Sequence, residues 1–438
     1  NDLTITNEGY VAGNFRVKIS GINNATNSGK QGYWVTPFKV GTNSWFGIAV
    51  NSSGRFVAVG WDGSIAYSDD GITWMTPFTV NSGDGTTVWS KIAVNSSGRF
   101  VAVGWESSIA YSNDGITWMT PFKVGTNDWY GVAVNSSGRF VAVGWGGYVS
   151  YSDDGITWMT PFTVNSGDGT TVWEAIAVNS SGRFVAVGFN GYVSYSNDGI
   201  TWATPFAVGN QVWRNIAVNS SGRFVAVGDN GSIAYSDDGI TWVTPFKVGT
   251  NSWYGIAVNS SGRFVAVGNN GFMTYSDDGI TWMTPFKVGT SSWEAIAVNS
   301  SGRFVAGGRD GYVINSLLQD TIQISSNGGT TWGSDTIIPL DGAISITGFG
   351  IDILFGHFEG HTVGNYWSFV QGAMRGLAIT DSEGNEYFSA SNGEVTIKTL
   401  SGVNGNFTGT LSSVNGNFTG TLSAATVDAT TVKGAVFN

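Results

Sequence analysis

The sequence predicts an all-β chain: a seven-bladed β-propeller inserted in a small β-module and followed by a β-stalk that trimerises. Three observations predict the propeller; the module and the stalk are read from the flanking segments. "NSSGRF" recurs seven times, starting at Asn51, Asn95, Asn135, Asn179, Asn219, Asn259 and Asn299, in steps of 40 residues, or 44 where a longer loop intervenes. A period near 40, built from short alternating runs parted by Gly turns, is the pattern of four-stranded blades. Charged residues make up only 12% of the chain, while it holds 64 Gly and 19 Trp. That balance suits Gly-turned, aromatic-packed sheets better than helices. Seven of the eight Pro fall in "TPF", once per unit. Pro cannot donate to a ladder, so each marks an edge strand.

The elements follow in order. "YWVTPFKV" (33–40) reads as a fourth strand, D, with no blade in front of it. In the first full unit "WFGIAV" (45–50) is strand A, "NSSG" turns, and "RFVAVG" (55–60) is strand B. "DG" (62–63) turns again, "SIAYS" (64–68) is strand C, "DDG" turns, and "ITWMTPF" (72–78) is strand D, the outer edge. β-branched and aromatic residues alternate with small ones, as half-buried pleated strands require. The seventh unit (293–315) has A, B and C without a matching D. The N-terminal strand therefore completes the last blade and closes a ring of seven.

Composition narrows the partners. A net charge of −11 and a sequence pI of about 4.6 argue against nucleic acid or an anionic membrane surface. Without Cys there is neither a disulfide nor a thiolate metal site. No apolar run is long enough to span a bilayer as a helix. The chain opens at Asn1 rather than Met, as a fragment or a processed product would. No cofactor or metal site is expected. His357 and His361 in "HFEGH" lack the HExxH order, and in a strand-rich setting they share no ligand face. The "NSGDG" loops (81–85, 165–169) lack the full calcium-loop series.

"YSDDGITW" (67–74) and its five siblings resemble the Asp-box (BNR) repeat, S-x-D-x-G-x-T-W, here one residue shorter: Ser68-x-Asp70-Gly71-x-Thr73-Trp74. The resemblance implies a structural turn between strands C and D. Asp70, Asp114, Asp154, Asp198, Asp238 and Asp278 would cap turn amides while the Trp packs between sheets. Asp-box propellers include sialidases, which need an arginine triad, a Tyr–Glu pair and an Asp acid on different blades. Here Arg55, Arg99, Arg139, Arg183, Arg223, Arg263 and Arg303 are one residue copied seven times, and no "R-I-P" precedes the repeats. Pairs with neighbouring Asp-box carboxylates are expected for them instead, and no catalytic residue is assigned.

The flanks carry a second resemblance. "YVAGNFRVKISG" (10–21), with "SSNGGTTW" (325–332) and "GHTVGNYWSF" (360–369), resembles two halves of a small β-module of phage tail proteins. "GLAITDSEGNEYFSASNGEVTIK" (376–398) and the doublet "VNGNFTGTLS" (403–412, 414–423) are similar to the C-terminal part of siphophage tail-tip host-specificity (tip attachment) and tail-fibre proteins. The domains are accordingly 1–31, first half of the module; 32–316, propeller; 317–372, second half; and 373–438, a fibrous stalk too thin to bury a core except as a homotrimer. A loop whose ends lie close together tolerates such an insertion.

The copies differ on one face only. A–B and C–D turns share the bottom face and are copied faithfully. B–C turns and D–A loops share the top and drift. The drifting B–C pairs are Trp61-Asp62, Trp105-Glu106, Trp145-Gly146, Phe189-Asn190, Asp229-Asn230, Asn269-Asn270 and Arg309-Asp310. The positions after each strand A Trp drift too: Phe46, Ser90-Lys91, Tyr130, Glu174, Arg214-Asn215, Tyr254 and Glu294. From these the receptor-binding set is Trp61, Asp62, Trp105, Glu106, Trp145, Phe189, Asn190, Asp229, Arg309, Phe46, Lys91, Tyr130, Arg214 and Tyr254. Aromatic platforms beside carboxylates and amides suit sugars. The expected function is a phage receptor-binding protein, part of a virion tail assembled in the host cytoplasm. Its expected partners are a bacterial surface glycan or outer-membrane receptor, two further copies of itself and other tail proteins, with no nucleic acid. A secreted bacterial lectin or adhesin, a polysaccharide-degrading tailspike and a ligand-free decoration are the alternatives.

Overall fold

The computed structural model describes residues 3–7, 15–81, 87–167, 169–325, 330–341, 343–346, 351–355, 366–370, 376–380, 386–391 and 394–397. Among these residues, seven four-stranded antiparallel sheets repeat one order. In blade 1, strand A is Trp45–Val50, B is Phe56–Gly60, C is Ser64–Ser68 and D is Phe78–Thr79. The A strands of successive blades pack against one another around an axis, and strand A of blade 7 (Trp293–Val298) meets that of blade 1. Blade 7 takes its strand D from Phe38–Lys39, with Phe38 opposite Val313 and Lys39 opposite Tyr312. The chain is a β-propeller.

The core lies between blades rather than within them. Strand B is buried on both faces, because it is sandwiched between neighbouring blades. That explains its unbroken apolar run. Val57, Val59 and Ile65 of blade 1 pack with Trp89, Phe100 and Ala102 of blade 2, and equivalent clusters join the other blades. Each of these large side chains contributes about 1.5–3 kcal/mol by leaving water. Six of the seven strand A Trp also satisfy their one donor, as Trp45 Nε1 does by donating to the Val40 carbonyl at 3.2 Å; Trp253 does not.

Strand D is shorter than its sequence reading. The expected 72–78 shrinks to Phe78–Thr79, which pairs only with Ile65 and Ser64. The reason is local. The amides of Ile72 and Thr73 are taken by Asp70, and Pro77 has no N–H to give. A single further bond, Met75 N to Tyr67 O at 2.9 Å, ties the irregular stretch to strand C.

The closing segment does more than supply a strand. Residues 25–31, assigned by sequence to the small module, lie on the bottom of blades 6 and 7. Ser28 Oγ donates to the Gly302 carbonyl at 2.6 Å and bonds the Ser316 hydroxyl at 2.6 Å. Arg263 donates to the Thr26 and Ser28 carbonyls at 2.7 and 3.0 Å. Gly29, at φ 83°, sits against Val265 and Phe304, as Gly71 of blade 1, at φ 75°, sits against Val305 and Phe56. Ser28-Gly29 thus stands in for the Asp-box turn that blade 7 lacks.

Beyond the propeller, strand Phe15–Asn24 pairs with Gln319–Ser325 on one side and Tyr366–Val370 on the other. Strands Gly376–Thr380, Glu386–Ser391 and Glu394–Ile397, given by sequence to the stalk, extend this same sheet in order. A three-stranded sheet joins Leu3–Asn7, Ile351–Phe355 and Ala343–Ile346. His357, His361, the "VNGNFTGTLS" doublet and the rest of the expected stalk after 397 lie outside the described residues.

Candidate ligand-binding mouth

The bottom face is a repeated fastening. Asp70 Oδ1 accepts the amides of Ile72 and Thr73 at 2.7 Å each and the Ser68 hydroxyl at 2.9 Å. Burial works against its charge, but the Thr73 and Ile72 amides and the Ser68 hydroxyl hold Asp70 below the ordinary carboxylate range. Asp114, Asp154, Asp198, Asp238 and Asp278 are held the same way. The arginines do not pair with these box carboxylates. Arg55 Nε binds Asp69, the residue before the box Asp, at 2.6 Å, and its Nη1 reaches the Asp114 carbonyl of the next blade at 2.8 Å. With the box carboxylate oxygen committed to amides, the next blade offers the arginine a backbone oxygen instead. Where Asn113 and Asn197 replace that Asp, Arg99 and Arg183 still bond the side-chain oxygen.

The top face is built on an irregularity. In every blade the A–B ladder slips by one residue after the strand A Trp, between Trp45 and Gly47, Trp89 and Lys91, Trp129 and Gly131 and so on around the ring. Such a bulge leaves one residue unpaired and re-aims its side chain. The bulged residues are Phe46, Ser90, Tyr130, Glu174, Arg214, Tyr254 and Glu294. They form an inner ring at the mouth of the axis. Because Trp45 pairs with Gly60, residue 46 lies beside residue 61, fifteen along the chain. Each blade therefore carries a radial pair of inner and outer residues.

Those pairs have distinct chemistry. In blade 1, Phe46 and Trp61 meet edge to face with centroids 6.3 Å apart, and Trp61 meets Trp105 likewise at 5.8 Å. In blade 5, Arg214 donates twice to Asp229, both bonds at 3.0 Å. Its guanidinium also faces Glu174 at 3.8 Å and lies 5.8 Å from the Phe189 ring centre. In blade 7 the polarity reverses, with outer Arg309 bound to inner Glu294 at 2.7 Å. Within these pairs the three exposed Trp fall in blades 1–3; the charges fall in blades 4, 5 and 7, and blade 6 pairs Tyr254 with Asn269.

Phe46, Lys91, Trp105, Tyr130, Arg214, Tyr254 and Arg309 of the sequence-assigned set line one open cavity of about 400 Å³. Val88, Ser90, Glu174 and Glu294 complete it. Lys91 also lines a narrower axial cavity of about 130 Å³ below, otherwise walled by Gly, Ala, Val, Ile and Asn215. Its ammonium donates to the Phe46 carbonyl at 2.8 Å. Burial pulls the Lys91 ammonium below its usual range, against the attraction of Glu294 and Glu174. Burial likewise raises Glu174, against Arg214 and Lys91. Burial and Asp128 push the Tyr130 hydroxyl up to about 12.

The remaining assigned residues fall elsewhere. Trp145 is 53% exposed and Trp61 43%, both on the top face but outside the cavity lining. Asp62, Asn190, Asn230, Asn270 and Asp310 all hold a left-handed backbone, with φ of 53–55°. That conformation favours Asn, Asp and Gly, so this column reports a turn requirement rather than free variation. Blade 2 breaks the rule twice, with Glu106 at φ 51° and Ser107 at φ 62°, where the other six blades have Gly at the second position. Sequence comparison of the copies found the inner ring. It left Ser90, Glu174 and Glu294 out of the binding set, because the fifteen-residue pairing with Trp105, Phe189 and Arg309 shows only in the ladder register. Among the described residues no group of acidic residues or His is arranged to hold a metal ion.

Comparison with known proteins adds fold alone. No protein-family model and no curated protein matches the chain. Among solved structures it is similar to U3-55K, with TM-score 0.55 and 11% identity over 65% of this chain and 98% of that one. It is similar to the RRP9 WD40 repeats, with TM-score 0.55 and 12% identity over 69% and 100%. YCF48, solved bound to D1 peptide, gives TM-score 0.52 and 17% identity over 68% and 97%. The fold these likenesses show is the β-propeller of repeated four-stranded sheets, shared with WD40 proteins.

Proposed function

We propose that this chain is the receptor-binding part of a bacteriophage tail, attaching through the propeller mouth to a bacterial surface glycan or outer-membrane receptor without turning it over. One observation carries the reading. Seven bulged positions, in blades that otherwise repeat the same letters, converge on a single cavity and draw on five residue types. Aromatic rings set beside polar and charged groups match the apolar and hydroxyl faces of a sugar. Binding is favoured over hydrolysis because the carboxylates of Glu174, Asp229 and Glu294 are each held by a guanidinium. The phage assignment rests on the flanking resemblances, together with the pairing of Phe15–Asn24 with Gln319–Ser325, which makes the propeller an insert in a sheet. Three copies on a common stalk would multiply a weak single-site affinity. The peptide-bound propeller of YCF48 keeps a protein segment within the range of ligands.

The test is adsorption of the purified protein to a panel of bacteria and their extracted polysaccharides, beside a Trp61→Ala/Trp105→Ala/Trp145→Ala variant. Binding lost in the variant, with no release of reducing ends, is the expected result. Equal binding by both proteins would overturn the aromatic side of the mouth as the binding site and move it to the other blades or the stalk. No binding by wild type would overturn the receptor-binding reading, and sugar release would replace it with a polysaccharide-degrading tailspike.

A further inference from the structure

We infer that the mouth selects a saccharide terminus bearing an anionic group, carboxylate or phosphate, and that Lys91 receives that group. The inference rests on the mouth being the binding site and adds the ligand's chemical class. Of the three cations lining the cavity, two are spoken for: Arg214 by Asp229 and Glu174, and Arg309 by Glu294. Lys91 makes one bond, to the Phe46 carbonyl, and no ion pair with a carboxylate. An ammonium has three donors, so two remain at the junction of the mouth and the apolar channel.

Position matters as much as charge. The other blades place Gly47, Gly131, Ala175, Asn215, Gly255 and Ala295 where blade 2 has Lys91, so this is the one cation of that ring. The blade is also the one whose B–C turn keeps two consecutive left-handed non-glycine residues, Glu106 and Ser107. Strain of this kind persists where the surroundings enforce it and clusters at binding sites. A desolvated ammonium with free donors favours a charge-assisted partner. Trp105 and Tyr130 line the same cavity and offer rings for stacking, while Glu174 and Glu294, whose attraction also reaches Lys91, are bound to their arginines. The protein's net charge of −11 repels anions at long range, so selection must come from this local set.

The experiment couples glucose, glucuronic acid and glucose 6-phosphate to one biotin linker and measures their binding on sensor tips. Wild type, Lys91→Met, Lys91→Arg and the triple Trp variant are compared, with folding followed by near-UV circular dichroism. Wild type is expected to bind the glucuronate probe, the phosphate probe or both about ten-fold more tightly than glucose. The two anionic arms identify which group is preferred. Lys91→Met should lose the preference, Lys91→Arg should keep part of it, and in wild type the preference should fall as rising pH deprotonates the ammonium. Equal binding of all three probes, binding of none, or an anion preference that survives in folded Lys91→Met would overturn the inference. Those outcomes leave the mouth reading intact as long as the triple Trp variant still loses bacterial adsorption.

Discussion

Two glycines of the closing segment separate backbone strain from crowding. Gly29 and Gly32 have nearly the same φ, 83° and 84°. A Cβ on Gly32 would meet nothing within 4 Å, whereas one on Gly29 would lie 2.7 Å from Val265 Cγ2 and 3.1 Å from Phe304 Cε2. Gly32→Ala should therefore cost only the left-handed conformation, about 1–2 kcal/mol. Gly29→Ala adds overpacking of a filled core, about 1–3 kcal/mol more, for roughly 2–5 kcal/mol in all. Urea unfolding followed by tryptophan fluorescence measures both. The lost stability should fall on the contact of blades 6 and 7, so amide exchange in strands Phe264–Gly268 and Phe304–Gly308 should accelerate before that of blade 3. Equal losses for the two variants would refute the assignment of Ser28-Gly29 as a surrogate Asp-box turn.

Other expectations follow from the same geometry. Asp70→Ala strands two amides and should cost about 1–3 kcal/mol, while Asp69→Ala breaks an exposed ion pair and should cost under about 1 kcal/mol; urea midpoints compare them. The six box aspartates have folded-state values below their unfolded value of about 3.9. Their stabilisation is present above that pH and disappears as pH falls through the lowered values; thermal midpoints measured from pH 5 down to pH 2 should drop, and should drop less when the boxes carry Asn. Tyr130 should be among the last tyrosines to ionise, near pH 12, so Tyr130→Phe should remove the late part of the ultraviolet phenolate titration. Ser107→Gly relieves a left-handed serine and should leave stability equal or up to about 1 kcal/mol higher; a clear loss would show that the serine side chain holds the turn.

What the sequence made legible was whatever the chain copied. Seven "NSSGRF" turns and the orphan "TPF" were enough for the strand order, the division into two faces and the closing strand. What it hid were departures from the copying rule. The bulge after the strand A Trp leaves no residue-type signature, because the bulged position is the one that varies, so the pairing of Arg214 with Asp229 came only with the ladder register. Ser28-Gly29 lacks the Asp and places Trp34 five residues after the glycine instead of three, so it did not read as an Asp-box. Strand D was overextended because alternation in "ITWMTPF" resembles a strand, while the hydrogen-bonding groups needed for one were already committed to the turn. Blade 2's Lys91 was visible as an odd letter, but its place at the throat of the axis was not.

The clamp between Phe15–Asn24 and Gln319–Ser325 has a mechanical consequence. Arg16 lies opposite Ser325 and Asn24 opposite Gln319, so the chain enters and leaves the propeller through one pair of antiparallel strands inside a larger sheet. Traction applied between Phe15 and Ser325 loads that pair at its Arg16–Ser325 end and opens it rung by rung. The ring of blades stays outside the line of force until the last rung gives way. A propeller tethered this way can be tugged without being uncoiled, and the strand pair acts as its mechanical fuse.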